Sequence, residues 1–363
     1  MKNFDEVFED RTKYGTKIKT SEYQKRGKYA IIDQGQEQIS GYTDIEEGLF
    51  EDVPVIIFGD HTRVVKYVDE PFFLGADGVK VLKSKYIDAN YRYLYYALKN
   101  VPIPNTGYNR HFKWLKEVKI KYPSQEKQKN IVRVLDNLSN IINKRQKELL
   151  QFDNLIKARF VEMFGDPVTN SYELPEATLP ELGEFGRGVS KHRPRNDPRL
   201  LGGEYPLVQT GDVANTSLYI MSYNSTYSEL GLKQSKMWSK GTLCITIAAN
   251  IAKTAILEFD ACFPDSVVGF IANEKTNNIF IHYWFSFFQA ILESQAPESA
   301  QKNINLKILS ELKVIVPEKE KQNEFVDFVH QVDKSKVAVQ INKDIIQELL
   351  IIYIFIVNKY CYK

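Results

Sequence analysis

A duplication inside the chain constrains its fold more than any other feature of the sequence. Residues 115–136 match residues 309–330 at a constant offset of 194 without a gap, and both blocks contain the sequence Pro-x-x-Glu-Lys-Gln. The weaker matches upstream pair 29–36 with 205–212 (offset 176), 53–60 with 241–248 (offset 188) and 77–79 with 265–267 (offset 188). Offsets that increase along the chain are typical of a duplication with insertions in the second copy. The alternative is chance similarity between strand–proline–helix junctions. If the duplication is real, both halves should share one fold.

Each copy begins with a section in which strand and helix patterns are mixed. Short apolar or alternating runs between Gly, Asn and Asp predict strands. These runs are 30–33, 53–58, 62–68, 207–209 and 243–247. Aromatic amphipathic segments at 90–100 and 279–292 predict one helix in each copy. The two copies are therefore expected to be α+β domains.

Each copy then ends in a long helix with a heptad repeat. Pro123 and Pro317 stand where proline is tolerated, at the first turn of a helix. From Ile131 and from Phe325 onward, apolar residues recur with a period of 3.5, which is typical of a coiled coil. The basic exceptions at heptad positions are Arg145, Arg159, Lys336 and Lys343. An antiparallel coiled coil about 60 Å long is predicted for helices of about 40 residues. The alternative is two amphipathic helices that each pack on their own globule.

Basic residues are concentrated in two loops, although the whole chain is nearly neutral. It contains 48 Lys and Arg against 46 Asp and Glu, a net charge of +2. Residues 11–28 carry seven basic residues and one acidic residue, and residues 187–199 carry five and one, so the loops carry +6 and +4 and the remainder carries −8. The first loop directly precedes the matched segment that begins at 29, and five residues separate the second loop from the segment that begins at 205. A single charged run is usually a solvated surface, but two runs at matched positions favour contact with phosphates.

A second basic element precedes each long helix, at 107–121 and at 300–307. Arg and Lys neutralise phosphates, while Arg, Asn and Gln can read base edges in the major groove. The predicted DNA contacts of the first copy are Arg11, Lys13, Lys17, Lys19, Arg26, Tyr108, Arg110, His111 and Lys113. Those of the second copy are Arg187, Lys191, His192, Arg193, Arg195, Gln209, Thr210, Lys302 and Asn303. Loops that differ on a shared frame would read different DNA sequences.

No catalytic motif is found in the sequence. It has no Walker A motif, no dinucleotide-binding glycine motif and no Asn-Pro-Pro-aromatic motif of amino-methyltransferases. The five histidines show no metal-ligand spacing. A nuclease-like motif can be read from Pro264-Asp265 with residues 311–313, but residues 117–119 hold the same repeat position, and strand alternation explains both better.

The remaining features indicate a cytoplasmic protein that does not contact a membrane. Three separate cysteines form no disulfide framework, which fits a reducing compartment. The first residues carry no apolar signal segment. The apolar run 349–357 is nine residues long, whereas a membrane span needs about 20.

The repeated Pro-x-x-Glu-Lys-Gln helix start resembles the specificity subunits of type I restriction–modification enzymes. So do the segments LLQFDNLIKARFVEMFGDP (149–167) and YPLVQTGDV (205–213). The resemblance covers essentially the whole chain. It implies an α+β protein in which two similar globular target-recognition domains are joined by two long helices that form an antiparallel coiled coil, an internal pseudo-two-fold repeat. The implied regions are 1–122 (first recognition domain), 123–170 (central helical region), 171–316 (second recognition domain) and 317–363 (distal helical region).

The resemblance also implies a function and partners. Each recognition domain would read half of a bipartite site in double-stranded DNA, and the non-catalytic subunit would dock two methyltransferase subunits and the restriction subunits. This chain would bind no cofactor, because S-adenosylmethionine, ATP and Mg belong to those partners. The second helix departs from the pattern, since it has no counterpart of the Phe-Gly-Asp-Pro at 164–167. Two alternatives stay open: a fused restriction–methylation polypeptide as the partner, and a coiled-coil interaction scaffold that does not bind DNA.

Overall fold

The computed structural model describes residues 1–75, 77–99, 101–248, 250–295 and 304–359. The chain divides into two compact units: unit 1 comprises Met1–Lys147 with Val339–Lys363, and unit 2 comprises Glu148–Ala338. Each unit contains one globular section and one part of each long helix. The four regions predicted from the sequence have different bounds, because they divide the chain where the duplicated sequence divides. These four bounds remain a prediction.

The globular section of unit 1 is built from short strands around a buried centre. Its strands are β1 (Lys2–Asn3), β2 (Phe8–Asp10), β3 (Tyr29–Ile32), β4 (Gly41–Thr43), β5 (Val55–Gly59), β6 (Val65–Val68), β7 (Phe72–Leu74), β8 (Val79–Ser84) and β9 (Lys119–Ile120). Its helices are α1 (Phe4–Val7), α2 (Tyr91–Lys99) and α3 (Phe112–Lys116), followed by the long helix α4 (Gln125–Phe164). Every residue of β5 is buried, as its continuous apolar run predicts.

Unit 2 repeats this plan with insertions. Its strands are β10 (Glu176–Thr178), β11 (Gly183–Arg187), β12 (Leu201–Leu207), β13 (Tyr219–Ile220), β14 (Ser225–Tyr227), β15 (Met237–Trp238), β16 (Leu243–Thr246), β17 (Thr254–Leu257), β18 (Ala261–Cys262), β19 (Val267–Ala272) and β20 (Lys313–Ile315). Its helices are α5 (Leu179–Leu182), α6 (Thr210–Ala214), α7 (Glu229–Lys233), α8 (Asn278–Gln295) and α9 (Leu306–Glu311), followed by the long helix α10 (Lys319–Lys359).

The two units share one sheet topology, which confirms the duplication. In unit 1 the sheets have the orders β2-β8-β5-β6, β4-β3-β7 and β1-β9. In unit 2 the corresponding orders are β11-β19-β16-β17-β13, β14-β12-β18-β15 and β10-β20, so β13 and β15 are additions. The strands β8 and β19 begin at Val79 and Val267, and the long helices begin at Gln125 and Lys319. These starts reproduce the offsets of 188 and 194 between the matched sequence segments.

The two long helices run antiparallel within each unit. In unit 1, Leu135 in the first half of α4 belongs to the same buried cluster as Leu350 and Ile354 near the end of α10. In unit 2, Phe160 near the end of α4 lies 5.3 Å from Phe325 near the start of α10 (ring centroids). The predicted antiparallel coiled coil is therefore confirmed, and the alternative of separately packed helices is wrong.

Three of the four basic residues at heptad positions bond to the facing helix, whereas Arg159 pairs with Glu162 of its own helix at 2.9 Å. Arg145 donates to Asn342 at 3.2 Å and Lys343 donates to Gln146 at 3.0 Å, both within unit 1. In unit 2, Lys336 pairs with Asp153 at 2.7 Å. Long basic side chains can cover the seam with their aliphatic parts while their charged ends reach polar partners.

The repeated Pro-x-x-Glu-Lys-Gln motif has a structural cause. The glutamine side chain is fully buried in both copies and turns back to the proline carbonyl, with Gln128 donating to Pro123 at 2.9 Å and Gln322 donating to Pro317 at 2.8 Å. Each bond satisfies a carbonyl group at the entrance to a long helix, where backbone groups lack helical partners. Both helices begin two residues after the proline.

The Phe-Gly-Asp-Pro sequence ends the first long helix. Phe164 is buried and is the last helical residue, and Gly165 follows with a φ of +76°, the left-handed conformation that commonly ends a helix. A Cβ atom on Gly165 would lie 2.5 Å from Oγ of Ser171, so a larger residue would force this side chain to shift in addition to straining the backbone. Within the described residues, no helix is both long and apolar enough to span a membrane.

Candidate nucleic-acid interface

The basic loop of unit 1, residues 11–28, lies between β2 and β3 and is anchored by one apolar side chain. Ile18 is buried, and its N–H donates to the carbonyl oxygen of Leu74 at 2.9 Å. The exposed cations of the loop include Lys13, Lys17, Lys19 and Arg26. Arg11 is less exposed because its guanidinium pairs with Glu9 at 2.5 Å. The loop therefore presents a group of cations to solvent, as its composition suggests.

A second exposed loop of unit 1 carries an aromatic ring at its tip. The side chain of Tyr108 is 87% exposed. Its ring stacks on His61, with centroids 4.7 Å apart and planes 9° from parallel. The backbone N–H of His61 donates to Oε1 of Gln34 at 3.1 Å, and this hydrogen bond holds His61 in place under the Tyr108 ring. An exposed, supported aromatic ring is suited to stacking with a nucleobase.

His111 was predicted to contact DNA, and the structure corrects this prediction. Its side chain is fully buried, with Nδ1 3.0 Å from the carbonyl oxygen of Asp60. The carboxylate of Asp60 in turn accepts a hydrogen bond from the N–H of Phe112 at 2.7 Å. A buried imidazole cannot reach DNA, so His111 anchors the base of the loop. Its neighbours Arg110 and Lys113 are exposed.

Asp77 links the two loops of unit 1. Its carboxylate pairs with Nζ of Lys17 at 2.5 Å, and its carbonyl oxygen accepts from Nε2 of Gln34 at 2.9 Å. The hydrogen bond and the charge of Lys17 lower the pKa of Asp77, and the charge of Arg110 lowers it further. Lys17 therefore contacts this carboxylate directly, and Gln34 connects Asp77 with His61, on which Tyr108 stacks.

The basic loop of unit 2, residues 187–199, folds around Asp197. The Asp197 carboxylate accepts from Nη2 of Arg199 at 2.6 Å and lies 3.0 Å from Nε2 of His192. These contacts, the bond to Arg199 above all, hold the pKa of Asp197 well below its usual range. His192 is thus engaged inside the loop. By contrast, Arg187 and Lys191 are exposed and have no ion-pair partner among the described residues.

Arg193 and Arg195 converge on one carboxylate. Their Nη2 atoms lie 3.5 Å and 2.5 Å from the side-chain oxygens of Asp265. Arg193 also donates to the carbonyl oxygen of Ser190 at 2.5 Å, which ties the guanidinium to its own loop. Asp265 lies two residues before β19, so this strand supports the pair.

A cavity of about 320 Å³ opens beside this loop in unit 2. Its lining includes Arg195, Asn196, Gln209, Thr210 and Tyr227. The structure therefore brings the predicted residues Gln209 and Thr210 together with the basic loop. Guanidinium and carboxamide groups can form paired hydrogen bonds with guanine and adenine, respectively.

The described residues offer anion- and base-binding groups rather than a metal centre. They contain no group of three or more His, Cys, Asp or Glu residues that could hold a metal ion. Cys244 and Cys262 are buried, and burial raises the pKa of both thiols, which disfavours the reactive thiolate. The predicted contacts Lys302 and Asn303 lie outside the described residues.

The amino-acid sequence of the chain matches one known protein family in two separate parts. The family described as the type I restriction modification DNA specificity domain matches residues 1–151 and 176–350. The chain belongs to this family. The match in two parts agrees with the duplicated topology and confirms the resemblance that the sequence motifs carry.

Individual members of the type I specificity family resemble the chain along most of its length. The specificity subunit of the type I restriction enzyme EcoR124I/EcoR124II of Escherichia coli is 22% identical over 352 residues, which cover 90% of this chain and 84% of that protein. The type I S subunit of M. genitalium has a solved structure with a TM-score of 0.53 and 18% identity, covering 97% of this chain and 94% of that one. A structure from a study of complex assembly in a type I R-M system has a TM-score of 0.56 and 14% identity, covering 97% and 95%.

Proposed function

We propose that this type I specificity subunit reads a bipartite target in double-stranded DNA, with one half-site for each unit, and is itself non-catalytic. The observation that carries the proposal is the exposed basic loop at the same topological position of both units. In unit 1 the loop pairs with Asp77, which Gln34 connects with His61, the residue on which Tyr108 stacks, and in unit 2 it borders the cavity that contains Gln209. Two similar frames with different side chains at matched places would read two different half-sites.

The exposed side chains divide into two roles. Lysines such as Lys13, Lys19 and Lys191 carry a mobile point charge suited to phosphates. Arg110 and Gln209 carry planar groups that can form paired hydrogen bonds with base edges, and Tyr108 offers a ring for stacking. Loss of a lysine should therefore weaken binding to all sequences equally, whereas loss of Arg110 or Gln209 should relax the choice of base at one position.

The partners in this proposal are two methyltransferase subunits and the restriction subunits, which dock on the helical regions. In unit 1 the outer face of α10 carries the apolar side chains Ile341, Ile345, Leu349, Ile352 and Ile356, each about half exposed. A contiguous apolar row of this kind marks a protein interface. We assign it to a methyltransferase subunit, and S-adenosylmethionine, ATP and Mg to the partners. A fused restriction–methylation polypeptide would cover the same face, and the genes next to this one distinguish the two partners.

Binding of the full-length chain to duplex DNA over a salt series tests the proposal. With six or more phosphate contacts, affinity should fall about 10³-fold or more between 50 and 200 mM salt. Arg110→Ala should weaken binding, while Lys334→Ala, a matched removal of an exposed cation on α10, should leave it unchanged. An affinity that does not depend on salt concentration, or no binding at all, would favour the alternative of an interaction scaffold that does not bind DNA.

A further inference from the structure

The same kind of ion pair occurs in both units at matched positions of the duplication. Lys17 pairs with Asp77 at 2.5 Å in unit 1, and Arg193 pairs with Asp265 at 3.5 Å in unit 2. Lys17 and Arg193 are related by the offset of 176, which also relates the matched segments 29–36 and 205–212 that follow the basic loops. Asp77 and Asp265 are related by the offset of 188, which also relates the starts of β8 and β19. Two separate segments therefore bring a cation and a carboxylate together twice.

The carboxylate of unit 2 also pairs with a second cation from the predicted interface. In unit 2 this is Arg195, whose guanidinium lies 2.5 Å from Asp265. In unit 1 the carboxylate of Asp77 pairs with Lys17, and the charge of Arg110 further lowers its pKa. The side chains of Asp77 and Asp265 are 88% and 33% exposed, and ion pairs with such access to solvent contribute little to stability. Their position among cations that face DNA is therefore better explained by binding than by folding.

We propose that Asp77 and Asp265 are duplicated positioning residues that determine specificity, each holding the basic loop of its own unit and limiting how its cations bind phosphate. The inference rests on the proposed DNA-reading function and adds two residues that the sequence-based set of contacts omitted. Both lie two residues before a strand of the main sheet, so each loop is held against a fixed point of its unit.

Two physical effects support this role. A carboxylate that holds a lysine or arginine restricts its rotamers, so less freedom is lost when the loop meets DNA in that arrangement. The same carboxylate repels phosphate, and repulsive elements reject the wrong partner as effectively as attractive ones select the right one. DNA of unrelated sequence provides no base contacts that offset the repulsion. The aspartates should therefore weaken non-specific binding more than specific binding.

Charge removal at constant size tests the inference in the full-length chain. In Asp77→Asn and Asp265→Asn the released cation should gain about one phosphate contact. The slope of log affinity against log salt, measured on a duplex of unselected sequence, should steepen by about 0.9, which corresponds to about fivefold tighter binding at 0.15 M salt. A residue with a merely structural role would not steepen this slope.

Matched controls break ion pairs outside the predicted set of contacts. Asp136→Asn removes the partner of Arg92 in unit 1, and Glu258→Gln removes the partner of Lys240, 2.8 Å away in unit 2. Neither substitution should change the salt slope or the selected DNA sequence. If the salt slope steepens equally in these controls, the effect comes from the change in net charge alone, and the inference is overturned.

Selection from a pool of randomised duplexes gives the second readout. The unchanged chain should select two half-sites, Asp77→Asn should relax one of them, and Asp265→Asn should relax the other. Variants that keep both half-sites and the original salt slope would overturn the inference. A uniform loss of binding with a lower thermal midpoint would also overturn it, since that is the result of a structural role. If the unchanged chain selects no sequence, the proposed function itself fails.

Discussion

Gln128 and Gln322 occupy the same position of the repeated motif, but the structure predicts that they contribute unequally to stability. The Gln322 side chain is fully buried and makes three hydrogen bonds. Its amide donates to the carbonyl oxygens of Pro317 at 2.8 Å and Lys275 at 3.0 Å, and its Oε1 accepts from the hydroxyl of Thr276 at 3.0 Å. Replacing Gln322 by Met, which has a similar length, would leave two carbonyls and one hydroxyl without this partner.

Within the part of the chain that the structure describes, the Gln128 side chain makes only the first of these bonds, to Pro123 at 2.9 Å, and its Oε1 has no hydrogen-bond partner. At about 1 kcal/mol for each lost hydrogen bond, Gln322→Met should destabilise the start of α10 by about 3 kcal/mol and Gln128→Met the start of α4 by about 1 kcal/mol. Hydrogen exchange of peptides over each helix start is the suitable assay, because a chain of two units need not unfold in one step. Equal losses of protection in the two variants would refute the reasoning.

Three further predictions concern the loop of unit 1 and the core of unit 2. Tyr108→Ala should weaken DNA binding in gel shifts by about 1–3 kcal/mol without lowering the thermal midpoint of unfolding. His111→Ala should instead lower the thermal midpoint. The opposite pattern would contradict the roles assigned to these two residues. Phe160→Ala should destabilise unit 2 by about 3–5 kcal/mol in hydrogen exchange, since its ring is fully buried, and a loss below about 1 kcal/mol would contradict that packing. Burial, and then the charge of Lys336, lowers the pKa of His282 from 6.5 to about 4. The unfolded chain therefore binds more protons between these values, so unit 2 should lose stability as the pH falls from about 6.5 to about 4, and His282→Gln should flatten this dependence in hydrogen exchange measured against pH.

The fold was largely predictable because its main signals repeat along the chain. A heptad pattern at the same register in both copies indicates two long helices, and a continuous apolar run such as 55–58 indicates a buried strand. The strand β12 shows where this fails. The sequence predicts a strand at 207–209, but β12 covers Leu201–Leu207. Gly202, Gly203 and Pro206 hide the pattern, while the backbone still pairs with β14 across an irregular register.

The candidate site was predictable in composition but not in detail. Local sequence shows where cations are concentrated, and it led to the two basic loops. It cannot show that His111 is buried, because its partner Asp60 is distant in the sequence and the contact exists only in the folded chain. Local sequence also cannot show that Arg193 and Arg195 both contact Asp265, because Asp265 is distant from them in the sequence. The sequence does show that Asp77 and Asp265 occupy matched positions, since residues 77–79 match residues 265–267. It does not show that either aspartate pairs with a cation of the basic loop, which only the folded chain shows.

The central claim is that each unit of this duplicated subunit reads one half of a DNA target. Methylome sequencing of cells with and without the gene tests it most directly. The expected result is a methylated motif made of two short specified blocks with an unspecified spacer of constant length, present only with the gene. Substitutions at Arg110 should change one block alone and substitutions at Gln209 the other. An uninterrupted motif, or a methylome that does not change when the gene is removed, would contradict the claim.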